Sequence, residues 1–487
     1  MKSKAKYFSR KVGLVINALG TIQVLPLLYS LVTNEPRSVT FGFVLSIVLT
    51  YIMGTLLIKF GINNTYKPDK WSGLVLAALI AILLTIPASF PYLFVQKIEW
   101  SNALFEATSG ITTTGFTVFS NLDSIPKSLL LYRALTQWFG GALFLVFFVL
   151  VGFRSEDQFL LGYSNTLNLF KLPKQISTLH KGVFVFIFLY FIFTLVETIW
   201  YFMIGVPPFD AFAHSLTTVS SGGFSTFDEG FIQGLNFTGI QKLILIFSHS
   251  GFMLLSGISY FLYVKAVTLD FKSIYKNNEL RFYLLLILGA SILTMLFSSI
   301  DAVLYSTGFE DAILMVIGGI SSVGIYNTNN SLTPEISFIL LIIISIGGMI
   351  GSTAGGIKIN RLRVVIRSIK YEADHIFKPS QVVSTLKLDG KPIDTKVVLK
   401  LTTLVFAWFV FVLGSWLAIH LLTDLDSVNV TQSVISALAN GGFIESSLID
   451  FYHMNSIARI GYVVIMIIGR LEIYPILVLF HLKAWRY

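Results

Sequence analysis

Long apolar runs separated by short polar stretches set the pattern of this chain. The runs Val12 to Val32, Val75 to Val95, Leu129 to Val151 and Val183 to Ile204 each reach the roughly 20 residues that carry a helix across a bilayer. Read in order, such runs predict ten spans, near residues 12–34, 40–61, 73–96, 128–152, 182–205, 240–266, 281–300, 336–369, 397–422 and 455–484. The first run is longer than a typical signal-peptide core and no small-x-small cleavage site follows it, so it is expected to stay as a membrane helix.

Four other stretches are too apolar for loops and too short to cross: Phe105 to Phe116, Ala213 to Phe224, Ile313 to Ile325 and Val434 to Phe443. Each falls between two spans and reads as a half-length helix that ends in small and hydroxyl residues and a glycine. The pattern is an internal repeat. It divides the chain into two additional leading helices, 1–66, and four pore repeats, 67–160, 161–272, 273–385 and 386–487. The predicted fold is an all-α polytopic membrane protein, with ten transmembrane helices and four re-entrant pore loops in fourfold pseudo-symmetry.

Composition agrees with a membrane protein: 54% of the 487 residues are hydrophobic and 13% charged, against about a quarter charged in soluble domains. The formal charge of +9 is gathered in segments between spans. Lys2 to Lys11, Arg154 to Lys181, Lys265 to Arg281, Lys358 to Lys400 and Lys483 to Arg486 all fall on the side of the N-terminus. By the positive-inside rule that side is the cytoplasm, so a multi-pass cell-membrane protein with both termini cytoplasmic is expected, and nucleic acid is the poorer explanation of the charge. Asp210, Asp228, Glu229, Glu310, Asp311, Asp424, Asp426, Glu445 and Asp450 fall on the other side, where they either concentrate cations near an entrance or simply keep loops soluble. With no cysteine the chain has no disulfide, thiolate metal site or cysteine nucleophile.

Non-helical backbone at membrane depth is tolerated where protein buries it or it lines a watery path. Four such segments therefore imply a shared cavity, and glycine lets each turn take angles closed to other residues. Rings of carbonyls can then replace the water shell of a potassium ion, while the negative helix ends favour a cation at the centre. The candidate filter is Thr113, Thr114 and Gly115; Ser221, Gly222 and Gly223; Ser322, Val323 and Gly324; Asn440, Gly441 and Gly442. The bound species is then the transported K+ itself, with no enzymatic chemistry. The bland alternative is small residues that let membrane helices pack closely.

The eighth span carries Gly347, Gly348, Gly351, Gly355 and Gly356 with Ser352 and Thr353 among them. Each interior glycine costs a helix about 1 kcal/mol relative to alanine, so a break is expected that faces the cavity just inside the filter. Glycine-mediated helix packing is the alternative. The stretch from Gly351 to Lys358 imitates a phosphate-binding loop, but Ile357 stands where that motif needs lysine, so no nucleotide is expected on this chain. Arg470, in an otherwise apolar span, is a functional candidate by cost alone. Glu472 lies two residues away, a spacing that does not face it on a helix. His214 and His249 lack metal-ligand spacing and read as packing histidines. Glu106 and Asp210 are expected at or near the starts of pore helices, where they favour the helix dipole, and Glu197, mid-span, is open between a coupling path and a buried hydrogen-bond network.

These residues resemble the Trk/Ktr/HKT superfamily of potassium transporters, most closely its TrkH branch. The resemblance is carried by Thr112 to Phe116 within Phe105 to Phe119, Leu135 to Gly141, Ser221 to Asp228, Gly348 to Lys358 and Gly469 to Pro475. It implies potassium uptake as a homodimer, with one pore per protomer, and control by a cytoplasmic TrkA-type ring that binds nucleotide. It also implies a gate formed by the glycine segment, with Lys358 at its end and Arg470 set against it to repel cations. Glycine in all four filters goes with potassium permeation. Ala439 to Ile444 departs from the family's usual fourth filter and Ile325 from the common aromatic of the third, which leaves the degree of selectivity open. An ion-coupled carrier with rocking halves and the ion-conducting subunit of a potassium pump are the competing readings.

Overall fold

The computed structural model describes residues 2–62, 66, 68, 71–154, 179–300, 309–324, 332–377, 385–443 and 449–481. Ile325, Ile444, Glu445, residues 155–178 of one basic segment, and Lys483 and Arg486 lie outside the described residues. Among the described residues, eight helices are long and apolar enough to cross a membrane, or nine if one bent pair counts as a span. The chain is a helical, multi-pass membrane protein.

Helices α1 (Lys2–Val32) and α2 (Arg37–Phe60) pack side by side. Gln23 in α1 receives a hydrogen bond from Thr50 at 3.2 Å and donates to Pro87 O at 3.3 Å, which ties this pair to the rest of the bundle. One order then recurs four times: a long helix, a short buried helix and a second helix. First come α3 (Ser72–Pro91), α4 (Trp100–Ile111) and α5 (Lys127–Arg154). Next come α6 (Leu179–Met203), α7 (Pro208–Val219), the single turn α8 (Phe231–Gly234), α9 (Gly239–Ser256) and α10 (Tyr260–Val267). After α11 (Phe271–Tyr275) follow α12 (Asn278–Ile300), α13 (Phe309–Ile320), α14 (Pro334–Ile346) and α15 (Ile359–Ile376). A β-hairpin, Lys387–Leu388 (β1) with Lys391–Pro392 (β2), leads into α16 (Thr395–Leu422), α17 (Ser427–Ala439), α18 (Ser456–Arg470) and α19 (Tyr474–Phe480).

Local sequence sets the short helices. Pro208 starts α7 at its first position, where the missing amide costs nothing, and Asp426 caps α17 by accepting from Asn429 N. Lipid-facing stripes are visible as exposed Phe184, Phe188 and Phe191 on α6 and Phe406, Phe409 and Leu413 on α16. By contrast, 83% of the most apolar stretch of α5 is buried, against 28% for α2. Helix α5 is therefore an interior strut.

Three spans are interrupted, one of them where its glycines predict a break and two that read as continuous in the sequence. The 336–369 span leaves the helix after Ile346 and re-enters at Ile359. The 240–266 span breaks at Gly257–Ser259 because Gly257 O accepts from Met349 N and Tyr260 N donates to Gly351 O, both at 2.9 Å. Those backbone groups serve the neighbouring glycine segment rather than their own helix. The 455–484 span bends by 109° between α18 and α19, where Glu472 (φ 56°) and Ile473 (φ 68°) take left-handed backbone.

Candidate functional site

The four short helices end alike. Thr113, Ser221, Ser322 and Asn440 have φ of 53°, 57°, 59° and 50°, and each amide donates to the carbonyl three residues back at 3.0, 2.9, 3.1 and 3.2 Å. Two positions on, Gly115, Gly223, Gly324 and Gly442 also have positive φ, of 90°, 74°, 106° and 62°. Left-handed backbone costs a residue other than glycine on the order of 1–3 kcal/mol, and only Asn tolerates it readily. Four copies at matching places are a built feature.

The segments meet in chain order. A Cβ on Gly115 would stand 2.5 Å from Gly222 O, and one on Gly223 only 1.6 Å from Val323 O. From Gly324 the nearest atom is Gly441 O at 3.8 Å, and from Gly442 it is Thr114 O at 2.8 Å. First touches second, second third, third fourth and fourth first. The four turns thus approach one another in a closed order.

One end of the ring opens into a cavity of about 520 Å3 bounded by the four glycines and by Asp228, Glu229 and Asp450. The hydrogen bond from His453 keeps the Asp450 carboxyl below the usual carboxylate range, so it is charged at neutral pH. The other described acids expected at an entrance behave differently where their bonding is defined. Asp210 accepts from Thr226 Oγ1 at 2.7 Å, Asp426 is the α17 cap, and Glu310 and Asp311 sit in the first turn of α13.

Behind the ring, a buried ion pair joins the first repeat's short helix to α5. Arg133 Nε lies 2.8 Å from Glu106 Oε1, and both side chains are at most 2% exposed. Glu106 also accepts from Val118 N at 2.9 Å and from Thr117, while Arg133 donates to Ser225 O at 3.1 Å beside the Phe224 ring. Glu106 is thus mid-helix in α4 and not at its start, and its work is pairing rather than dipole stabilisation. Gln137, one turn along from Arg133, donates to Gly222 O at 2.8 Å and accepts from Phe224 N at 3.0 Å. Arg133 was not among the sequence candidates, although a charge within the apolar run 129–151 is the same signal that singled out Arg470.

The ring's other end is closed by the non-helical segment between α14 and α15. Thr353 Oγ1 reaches Ser221 Oγ at 2.8 Å and Val219 O at 3.0 Å, and Gly355 N donates to Ser322 Oγ at 3.0 Å. A Cβ on Gly355 would fall 1.9 Å from Ala439 O, so glycine is needed for this approach. Arg470 Nη1 donates to Thr353 O at 2.9 Å, and its guanidinium lies 4.2 Å from the centre of the Phe144 ring. Lys358 Nζ donates to Ala354 O. The segment therefore contacts the ends of the second, third and fourth short helices. Ser221 and Ser322 spend their hydroxyls on it, whereas Asn440 donates to Thr114 Oγ1 at 2.8 Å and Met466 O at 3.0 Å. Glu472 pairs with Arg361 of α15, which fixes the bend after α18.

Elsewhere, His214 contacts Thr226 Oγ1 at 3.1 Å and stacks on Phe231, and His249 meets Tyr201 OH at 2.6 Å. Glu197 is fully buried. No group of three or more His, Cys, Asp or Glu is placed to hold a metal among the described residues.

The profile of the TrkH family, described as cation transport protein, matches residues 43–322 and 319–486. The chain is 27% identical to the Trk system potassium uptake protein TrkH of Salmonella typhimurium, covering 98% of this chain and 99% of that one. It is 28% identical to the Trk system potassium uptake protein TrkG of Escherichia coli over 85% of each. An uncharacterized cation transporter of Methanocaldococcus jannaschii is 26% identical, over 96% of this chain and 94% of the relative. The solved structure of the potassium transporter TrkH from Vibrio parahaemolyticus superposes with a TM-score of 0.84, covering 99% of both chains at 24% identity. That last likeness concerns the fold.

Proposed function

Because the chain belongs to the TrkH family of cation transport proteins, we propose that it is the pore-forming subunit of a potassium uptake system, in which K+ crosses the ring of Thr113–Gly115, Ser221–Gly223, Ser322–Gly324 and Asn440–Gly442. The closed order of contacts among these four segments carries the reading. Four backbone turns that close on one another would set carbonyl oxygens around a common axis, the chemistry that substitutes for a potassium hydration shell. The mouth with Asp228, Glu229 and Asp450 is the outer entrance, where fixed negative charge concentrates cations. The four helix-short helix-helix units correspond to repeats 67–160, 161–272, 273–385 and 386–487, their short helices entering and returning as pore loops. With α14 and α15 taken as one interrupted crossing, and likewise α9 with α10 and α18 with α19, ten crossings put both termini in the cytoplasm.

The segment Gly347–Lys358 is the gate. It lies across the inner end of the ring, held by Thr353, Gly355 and the guanidinium of Arg470, whose positive charge also opposes a cation at that level. A rocking-halves carrier is less suited to four units of like orientation around one ring. Homodimer assembly and control by a cytoplasmic nucleotide-binding ring of the TrkA type complete the proposal; movement of that ring would pull on α15, which starts directly after the gate.

Gate variants in liposomes test this reading. Arg470→Ala, or removal of Ser352 to Ala354, is expected to raise rubidium influx about tenfold or more, since a hydrogen bond to a charged group contributes about 1.5–3 kcal/mol. Unchanged or lower influx at equal protein content would mean that the segment only packs.

A further inference from the structure

We propose that the cavity between α15, the β-hairpin and the start of α12 binds the phosphate of an anionic phospholipid. The cavity, of about 500 Å3, is lined by apolar Phe282, Ile366 and Leu388 and by a rim of Arg363, Arg367, Lys370 and Lys387. Among the described residues that line it, Asp389 is the one carboxylate. It lies 2.6 Å from Arg363, which leaves an excess of three positive charges. Arg367 Nε donates to Lys387 O at 3.3 Å, so helix and hairpin hold the rim together. Guanidinium groups fit phosphate as forks rather than point charges.

Position distinguishes a lipid from a free anion. Two candidate spans, Asn278–Ser298 and Thr395–Leu422, begin at this hairpin; Asn278 donates to Asp389 at 2.7 Å, and Phe282 lies within the first span. The cavity therefore sits at the level where acyl chains give way to headgroups. On α15, Ile366 and Ile369 are 50% and 65% exposed beside Arg367 and Lys370. Exposed apolar residues interleaved with cations are the mark of a helix at that boundary. A soluble phosphate would use the cations and leave Phe282 and Ile366 without purpose, whereas a phospholipid uses both. The inference rests on the membrane placement of the chain and is independent of the ion it carries.

The test uses the full-length protein in phosphatidylcholine vesicles containing phosphatidylglycerol as a minor component, with retained lipid read by native mass spectrometry after extraction. Phosphatidylglycerol is expected to be enriched over phosphatidylcholine. The pair Arg367→Gln and Lys387→Gln should lower that enrichment by about thirty-fold, from the known contribution of each cation near a charged membrane surface. The pair Lys6→Gln and Lys11→Gln, on α1, should leave it unchanged. Three results would overturn the proposal: no enrichment in the unaltered protein, an enrichment untouched by Arg367→Gln and Lys387→Gln, or an equal loss in both pairs, which would reveal only diffuse surface charge. Displacement of the retained lipid by inorganic phosphate would equally overturn it, by making the site one for free anions.

Discussion

Gly223→Ser is expected to lower the preference for potassium over sodium by at least about tenfold, equivalent to about 1.4 kcal/mol. At φ 74° any side chain strains the backbone, and a Cβ there would lie 1.6 Å from Val323 O. That contact is far inside any tolerable separation, so the third segment's carbonyl must move. The moved oxygen belongs to the ring proposed to replace the potassium hydration shell, and selectivity of this kind depends on the number and placement of such oxygens. A milder effect is expected at Gly324, where φ of 106° strains any side chain too but an added Cβ would come no closer than 3.8 Å to its neighbours; Gly324→Ala should disturb selectivity less. Permeability ratios from reversal potentials decide the matter. Equal ratios for Gly223→Ser and the unaltered protein would contradict the placement of the filter.

The largest loss of stability is expected from Arg133→Ala, about 3–5 kcal/mol, because it strands a buried carboxylate. Glu106 would keep its bonds from Thr117 and Val118 but lose its counter-charge, and Ser225 O and the Phe224 ring would lose their partner across the first and second segments. A double replacement, Arg133→Leu with Glu106→Gln, should recover much of the loss, since no uncompensated charge remains. Thermal unfolding in detergent measures both. A single variant as stable as the unaltered protein would mean that the ion pair carries no net stabilisation.

The sequence made the plan of the molecule legible because its strongest signals are local. Apolar run length marks spans, and a glycine two residues after a hydroxyl or Asn marks each turn, so the four left-handed turns could be placed in advance. The break at Gly347 was legible for the same reason, as five glycines within ten residues do not sustain a helix. What escaped was long-range. Gly257 to Ser259 contains one glycine, too weak a signal for a broken helix, and the break exists because Met349 and Gly351 take over its backbone groups. The bend after Arg470 depends on Arg361, more than a hundred residues earlier, capturing Glu472. The pairing role of Glu106 escaped because its partner Arg133 lies on another helix and no spacing rule connects them. Likewise, a hydroxyl before the filter glycine said nothing of direction: Ser221 and Ser322 turn to the glycine segment and Asn440 to Thr114.

The central claim is that the four-part ring conducts potassium. Its most direct test is cation flux into liposomes that hold the purified protein, with potassium, rubidium, sodium and lithium compared under one gradient. The ring predicts entry of potassium and rubidium ahead of sodium and lithium. Absence of potassium and rubidium entry, both alone and with the proposed nucleotide-binding partner present, would contradict it.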